Sequence, residues 1–247
     1  MHQQSEIFYH PELRLVEDRI GIHVVKTIVD ETQPTLLYLP GLSNEAIEGF
    51  NSLAPCLEKG FNVASMSFRG RGQSSTPKMG YSMEDHAEDF ALVVDTLKAK
   101  KLIVVATSIS TLYAARHLVE DGGDKVAGMV IVDHPLHVKK LKQGWAEEFS
   151  KLTVNGVPVT KTMRRSAMDC VEKESEAYDL YFSFMELEIP TLVLYPTIPK
   201  GIIGENDIER FKHQGAKLVE FEDSNHFIRL RQPEKYCKEI MAFAESI

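Results

Sequence analysis

Short apolar runs alternate with amphipathic segments along most of this 247-residue chain, and that alternation limits the folds open to it. Thr35–Leu39 precedes a helix-like Glu48–Glu58, Val63–Ser67 precedes Met83–Leu97, and Leu102–Ala106 precedes Leu112–Glu120. Gly128–Val132, Thr191–Tyr195 and Leu218–Phe221 complete the set. Strands alternating with helices build βαβ units, so the pattern predicts an α/β fold: a mostly parallel central sheet flanked by helices. Ahead of the first unit, Leu13–Val16 and Ile20–Val29 read as extended segments around a turn, forming an antiparallel edge. Between Pro135 and Pro190 the rhythm breaks into a helix-prone, charged stretch carrying Trp145, Tyr178, Tyr181, Phe182 and Phe184. It reads as a short helical cap inserted after the sixth strand, at about 136–189, within one domain spanning 1–247. Asn155-Gly156-Val157-Pro158 reads as a turn inside that cap.

Composition removes several classes of function. A formal net charge of −8 opposes binding to a phosphate backbone, which needs clustered Lys and Arg, so nucleic acid is not an expected partner. No run reaches the ~18 apolar residues of a membrane span, and the N-terminus lacks the basic, apolar and small-residue regions of a secretory signal. Cys56, Cys170 and Cys237 are scattered without C-x-x-C spacing, which signals neither a disulfide framework nor a thiolate metal site and fits a reducing cytoplasm. The expected partner is a small-molecule substrate, with the oligomeric state left open. His134 and His137 flank Pro135-Leu136 but have no committed third ligand, so no metal site is assigned. Arg69-Gly70-Arg71-Gly72-Gln73 lacks the G-K-[ST] ending of a P-loop and reads as a tight turn with structural arginines. Glu172-Lys173-Glu174-Ser175-Glu176 reads as a solvated face.

Two residues carry the chemistry. Ser108 lies between the apolar run Leu102–Ala106 and the helix-like segment that follows, and a serine at such a corner has its hydroxyl pushed out of the sheet edge. The competing reading is a helix N-cap. His226 lies between the strand-like Lys217–Phe221 and a C-terminal helix, on a loop where it can act as the base that a weak serine nucleophile requires. A sharp turn at Ser108 would also point the Ile109 N–H at the reaction centre.

Four motifs then occur in order. They are Leu36-Leu37-Tyr38-Leu39-Pro40-Gly41-Leu42, Ser67-Phe68-Arg69-Gly70-Arg71-Gly72-Gln73-Ser74, the Ala106-Thr107-Ser108-Ile109-Ser110 corner, and the His226 loop followed by Gln232-Pro233-Glu234. Together they resemble the α/β-hydrolase family across nearly the whole chain. Pro40 stands where the family usually has histidine, Ser67 where its Asp-x-Arg-Gly-x-Gly-x-Ser turn has aspartate, and Ala106 and Ser110 where G-x-S-x-G has glycines. The resemblance implies an oxyanion hole from the backbone N–H groups of Leu42 and Ile109. It also implies a third, acidic member. The family's usual position, after the strand Thr191–Tyr195, reads Pro196-Thr197-Ile198-Pro199-Lys200 and has no carboxylate. A second position known in the fold, at the end of the preceding strand, holds Asp133, which is assigned as the orienting acid; Glu205 and Asp207 are weaker candidates.

The expected activity is that of a serine hydrolase on an ester, thioester or lactone through Ser108, His226 and Asp133, with no cofactor and no metal. Two alternatives remain open on the same residues. One is a cofactor-independent lyase or oxygenase using a His226–Asp133 dyad, and the other is a small-molecule binding protein with weak turnover.

Overall fold

A computed structural model describes residues 2–10 and 20–247. Six strands, β1 (Gln4–Tyr9), β2 (Gly21–Thr27), β3 (Thr35–Leu39), β4 (Asn62–Met66), β5 (Leu102–Thr107) and β6 (Gly128–Val132), precede an insertion that carries four two-residue strands. These are β7 (His137–Val138), β8 (Thr153–Val154), β9 (Val157–Pro158) and β10 (Tyr178–Asp179), after which β11 (Thr191–Pro196) and β12 (Lys217–Phe221) rejoin the main sheet. The main sheet has eight strands in the order β1-β2-β4-β3-β5-β6-β11-β12. β2 pairs antiparallel with both β1 and β4, and the pairs from β4 to β12 are parallel. The antiparallel edge expected from the sequence is therefore present, but it is made by Gln4–Tyr9; Leu13–Val16 lies outside the described residues.

Helices α1 (Ala46–Leu53), α2 (Met83–Leu97) and α3 (Ser110–Asp121) follow β3, β4 and β5. The insertion contributes α4 (Trp145–Ser150), α5 (Arg165–Glu174) and α6 (Tyr181–Met185), and the chain ends with α7 (Glu205–His213), α8 (Ile228–Arg231) and α9 (Pro233–Ser246). The helix expected over Glu48–Glu58 stops at Leu53 and tightens into a 3-10 turn over Ala54–Lys59. Pro55 explains the break, because it has no N–H to give the preceding turn. α7, between β11 and β12, was not read from the sequence at all; only one short apolar pair, Ile208 and Phe211, marks its buried face.

Successive strand residues point to opposite faces, and both faces are covered. Leu37, Leu39, Val104, Ala106, Met129 and Ile131 pack in one layer with Phe90 and Val93 of α2 and Leu112 and Leu118 of α3. Leu36, Tyr38, Ile103, Val105, Val130 and Val132 pack in the other with Phe50 of α1 and Tyr236, Ile240 and Phe243 of α9. Cys56 and Cys237, far apart in sequence, meet in that second layer as free thiols. The strand order turns back on itself at β3: β4 lies on one side of it and β5 on the other. In open α/β sheets such a switch point leaves a crevice beyond the carboxyl ends of the two strands.

A buried ion pair ties the turn after β4 to α2. Arg69 is almost wholly buried, its Nε and Nη2 donate to Asp89, and the Arg69 N–H donates to the same carboxylate at 3.0 Å. Burial alone would push the Asp89 carboxyl up, but the Arg69 guanidinium and the His10 contact override it and hold the pKa at about 2. The stabilisation is thus complete above the ordinary carboxylate pKa and is lost as pH falls through about 2. Asp89→Ala removes the buried carboxylate from Arg69, leaving its Nε and Nη2 without a hydrogen-bond partner and the more exposed Asp85 on Nη1 at 2.9 Å, and is expected to cost about 3 kcal/mol in urea unfolding at neutral pH. A loss below about 1 kcal/mol would contradict the pairing.

Candidate active site

Ser108 follows β5 with φ = 57°, a left-handed backbone that a non-glycine residue adopts at a cost of roughly 1–3 kcal/mol. Small neighbours make the corner possible. Ala106 is fully buried, and the Ser110 hydroxyl accepts from the Thr107 N–H at 2.9 Å and lies 2.9 Å from the Leu39 carbonyl. Ser110, where the family pattern has glycine, therefore adds a bond that joins the ends of β5 and β3. The Ser108 N–H donates to the Val132 carbonyl at 3.0 Å, which pins the corner to β6 as well. The hydroxyl of Ser108 has no hydrogen-bond partner among the described residues, so it is not consumed as a helix cap.

Asp133 closes β6, is wholly buried, and also has a left-handed backbone, with φ = 47°. His226, on the loop between β12 and α8, donates its Nδ1–H to Asp133 Oδ2 at 2.7 Å. A carboxylate on Nδ1 fixes the tautomer and leaves the Nε2 lone pair facing outward. The remaining lone pairs of Asp133 accept the backbone N–H groups of Ile202 and Ile203, each at 3.1 Å. Those donors belong to the segment after β11, the one with no carboxylate of its own. A Cβ on Gly201 would lie 2.4 Å and 2.5 Å from the two Asp133 oxygens, so only glycine lets this backbone come so close. The weaker acidic candidates are elsewhere. Glu205 and Asp207 sit in the first turn of α7, where Asp207 accepts from the Gly204 N–H, the Tyr181 hydroxyl and His137 Nε2.

The turn after β3 lies against the Ser108 corner: a Cβ on Gly41 would be 3.4 Å from Ser108 Cβ. The N–H groups of Leu42 and Ile109 have no acceptor among the described residues. This turn is held from behind. Arg71 Nε donates to the Leu42 carbonyl at 3.0 Å, Arg71 Nη1 donates to the Arg69 carbonyl and to His86 Nε2, and the Thr162 hydroxyl donates to the Ser43 carbonyl. His86 gives its Nδ1–H to the Ser82 carbonyl at 2.7 Å and stacks on Tyr113. It is a neutral imidazole, since burial, with Arg71 adding to it, drives its pKa well below the usual value. Sequence reasoning read the arginines as structural but did not find His86, because nothing in its local pattern on α2 marks it. Ser67, in place of an aspartate, acts as an acceptor: its hydroxyl receives the Ala46 N–H at 2.8 Å.

Ser108 opens onto two cavities. One of about 210 Å³ is lined by Leu42, Asn44, Ser108, His226, Phe227 and Arg229. It adjoins a wider groove of about 510 Å³ through Ser43, Asn44, Val154 and Arg229. The other, about 350 Å³, runs under the insertion between Ser108 and Trp145, Val138, Leu141 and Tyr178. The insertion aromatics divide accordingly. Trp145 and Tyr178 line this cavity, Tyr181 and Phe184 are buried in the core, and Phe182 is exposed. The insertion itself mixes helices with the short pairs β7/β10 and β8/β9, so it is less purely helical than its composition suggests.

His134 and His137 do not converge. His134 donates its Nδ1–H to the Pro135 carbonyl, whereas His137 reaches Asp207. Among the described residues, no group of three or more His, Cys, Asp or Glu could hold a metal ion, and no helix is long and apolar enough to cross a membrane.

A left-handed serine corner at the switch point of a mostly parallel sheet, with an Asp-held histidine lining the same cavity, marks an α/β hydrolase fold. The chain belongs to that family, whose profile matches residues 34–164. Its fold is similar to that of a bromoperoxidase from Bacillus anthracis, with a TM-score of 0.78 at 16% identity over 98% of this chain and 100% of that one. It is likewise similar to an esterase from Exiguobacterium antarcticum, with a TM-score of 0.76 at 17% identity over 98% and 100%. A carboxylesterase structure from Nitrososphaera gargenis gives 0.75 at 14% identity over 97% and 98%. At these identities the likeness is one of fold.

The Gly201 contact gives a direct check on the carboxylate cradle. Gly201→Ala is expected to push Asp133 away from Ile202 and Ile203 and to weaken its bond to His226. In proton NMR the downfield Nδ1–H resonance of His226 should then shift upfield or broaden, with far-UV circular dichroism unchanged. An unaltered resonance would contradict the packing described.

Proposed function

We propose that this protein is a serine hydrolase that cleaves an ester-type bond, in an ester, thioester or lactone, of a small molecule through a Ser108–His226–Asp133 triad and a covalent acyl-enzyme. The observation that carries the reading is the 2.7 Å bond from His226 Nδ1 to buried Asp133, with Nε2 left facing the cavity onto which Ser108 opens. Nε2 takes the Ser108 proton as Oγ attacks the carbonyl carbon. The carbonyl oxygen, now an oxyanion, is received by the Leu42 and Ile109 N–H groups. Asp133 stabilises the imidazolium without taking its proton. His226 then protonates the leaving oxygen or sulfur as its bond to the acyl carbon breaks, and afterwards activates water to release the acid and regenerate Ser108. Esterase structures among the fold's neighbours are consistent with this chemistry. The three free cysteines fit a reducing compartment such as the cytoplasm.

A second reading is favoured by one observation: the His226–Asp133 bond is formed, whereas the Ser108 hydroxyl is bonded to neither residue. It treats the dyad as a base that takes a proton directly from substrate, with Ser108 a bystander. In catalytic sites without substrate, hydrogen bonds are often open and close only in the complex, which keeps hydrolysis first.

Release of nitrophenolate from p-nitrophenyl acetate and butyrate separates the two. The triad predicts a burst followed by steady turnover, and a kcat lowered by a factor on the order of 10⁴–10⁶ in Ser108→Ala. Turnover that survives in a folded Ser108→Ala protein within about tenfold would overturn the acyl-enzyme and favour the dyad.

A further inference from the structure

The two cavities that meet at Ser108 are not equivalent, and the difference assigns them. In the proposed reaction the leaving group must receive its proton from His226, and His226 lines the cavity of about 210 Å³ but not the one of about 350 Å³. The leaving group therefore occupies the first, and the acyl group lies in the second, under the insertion. That acyl chamber is walled largely by apolar side chains, including Met83, Val138, Leu141 and Trp145.

One polar group in it has nothing to do. His134 also lines this chamber and is more than nine-tenths buried. Its Nδ1–H is fixed on the Pro135 carbonyl at 2.7 Å, so the ring presents Nε2 as an acceptor. Burial pushes its pKa down to about 4, so the ring is neutral at neutral pH and the lone pair is available. Among the described residues nothing donates to that nitrogen. Of the half-buried polar neighbours in the chamber, Tyr178 donates to Glu84, Ser82 to Asp85, and Ser175 to the Glu172 carbonyl, while the exposed Lys139 and Glu176 also line it. Nε2 is open to the chamber rather than sealed in the core, so a substrate donor can take the place of water on it.

Resting on the hydrolase reading above, we propose that His134 Nε2 is a specificity element that accepts a hydrogen bond from an O–H or N–H group on the acyl part of the substrate. The preferred substrates are then esters of compact, mostly apolar acids that carry one hydrogen-bond donor, rather than plain alkanoate esters. Sites that hydrogen-bond a substrate group discriminate strongly against analogues lacking it, because the site's own group is then stranded.

The experiment compares p-nitrophenyl esters of phenylacetic acid, its 3- and 4-hydroxy derivatives, and the matching 3- and 4-methoxy derivatives, which are bulkier than hydroxyl and have no donor. At least one hydroxy ester should exceed both phenylacetate and its methoxy partner in kcat/KM by tenfold or more. In His134→Phe that ratio should collapse toward one, and His134→Gln, whose amide oxygen can accept near the position of Nε2, should restore part of it. Hydrolysis by the wild type with no donor preference, or a preference unchanged in His134→Phe, overturns this inference while leaving the triad standing. Hydrolysis of none of the five esters, together with no burst from p-nitrophenyl acetate, removes the triad reading and the inference with it.

Discussion

A negative charge buried at the end of β6 organises the candidate site. Asp133 has no access to solvent, and an isolated carboxylate in that position would be strongly disfavoured. It is tolerated because three donors converge on it: the His226 ring and the main chain at Ile202 and Ile203. Each is delivered by a different part of the fold. The carboxylate comes from the end of β6, the amides from the segment after β11, and the imidazole from the loop after β12. These three strands are neighbours in the sheet, so parallel packing brings their carboxyl ends to one edge. The orientation of His226, and with it the proposed chemistry, depends on that convergence.

The two remaining parts of the site depend on the other side of the same edge. Ser108 ends β5 and the Leu42 turn ends β3, the strands between which the sheet changes direction. Ser110 ties the two strand ends together, while Arg71 and His86 hold the turn from beneath. Both corners at Ser108 and Asp133 have left-handed backbones. Such strain persists only where surrounding bonds over-determine it, and here the Ser108 N–H and Asp133 N–H are each bonded to a neighbouring strand. The insertion completes the enclosure. It roofs the apolar chamber and is fastened to the core through the Gly72 N–H to Thr162 carbonyl and Arg164 N–H to Gly70 carbonyl bonds.

Much of this architecture was legible in the residues because each buried parallel strand is a short apolar run with its own helix. Thr35–Leu39 and Gly128–Val132 coincide with the observed strands, and Met83–Leu97 with the observed helix. Ser108 and His226 were legible from their places between strand and helix. Asp133 was reached through the resemblance, and the reason for the vacant family position was not visible at all. Pro196–Gly201 looks like a loop that has lost its acid, whereas it leads into the Ile202 and Ile203 amides that receive Asp133, a relation that exists only once β6 and β11 are side by side. The β1 strand and α7 were missed for a related reason: Gln4–Tyr9 is half exposed at an edge and α7 buries only a narrow stripe, so neither has the apolar signal of a core element.

The most direct test is a crystal structure of the protein after reaction with a small alkyl fluorophosphonate. The account predicts phosphorus bonded to Ser108 Oγ, one phosphonyl oxygen within hydrogen-bond distance of both the Leu42 and Ile109 nitrogens, and His226 still bonded to Asp133 through Nδ1. Phosphorus on another residue, or the phosphonyl oxygen turned away from those two amides with His226 detached from Asp133, would contradict it.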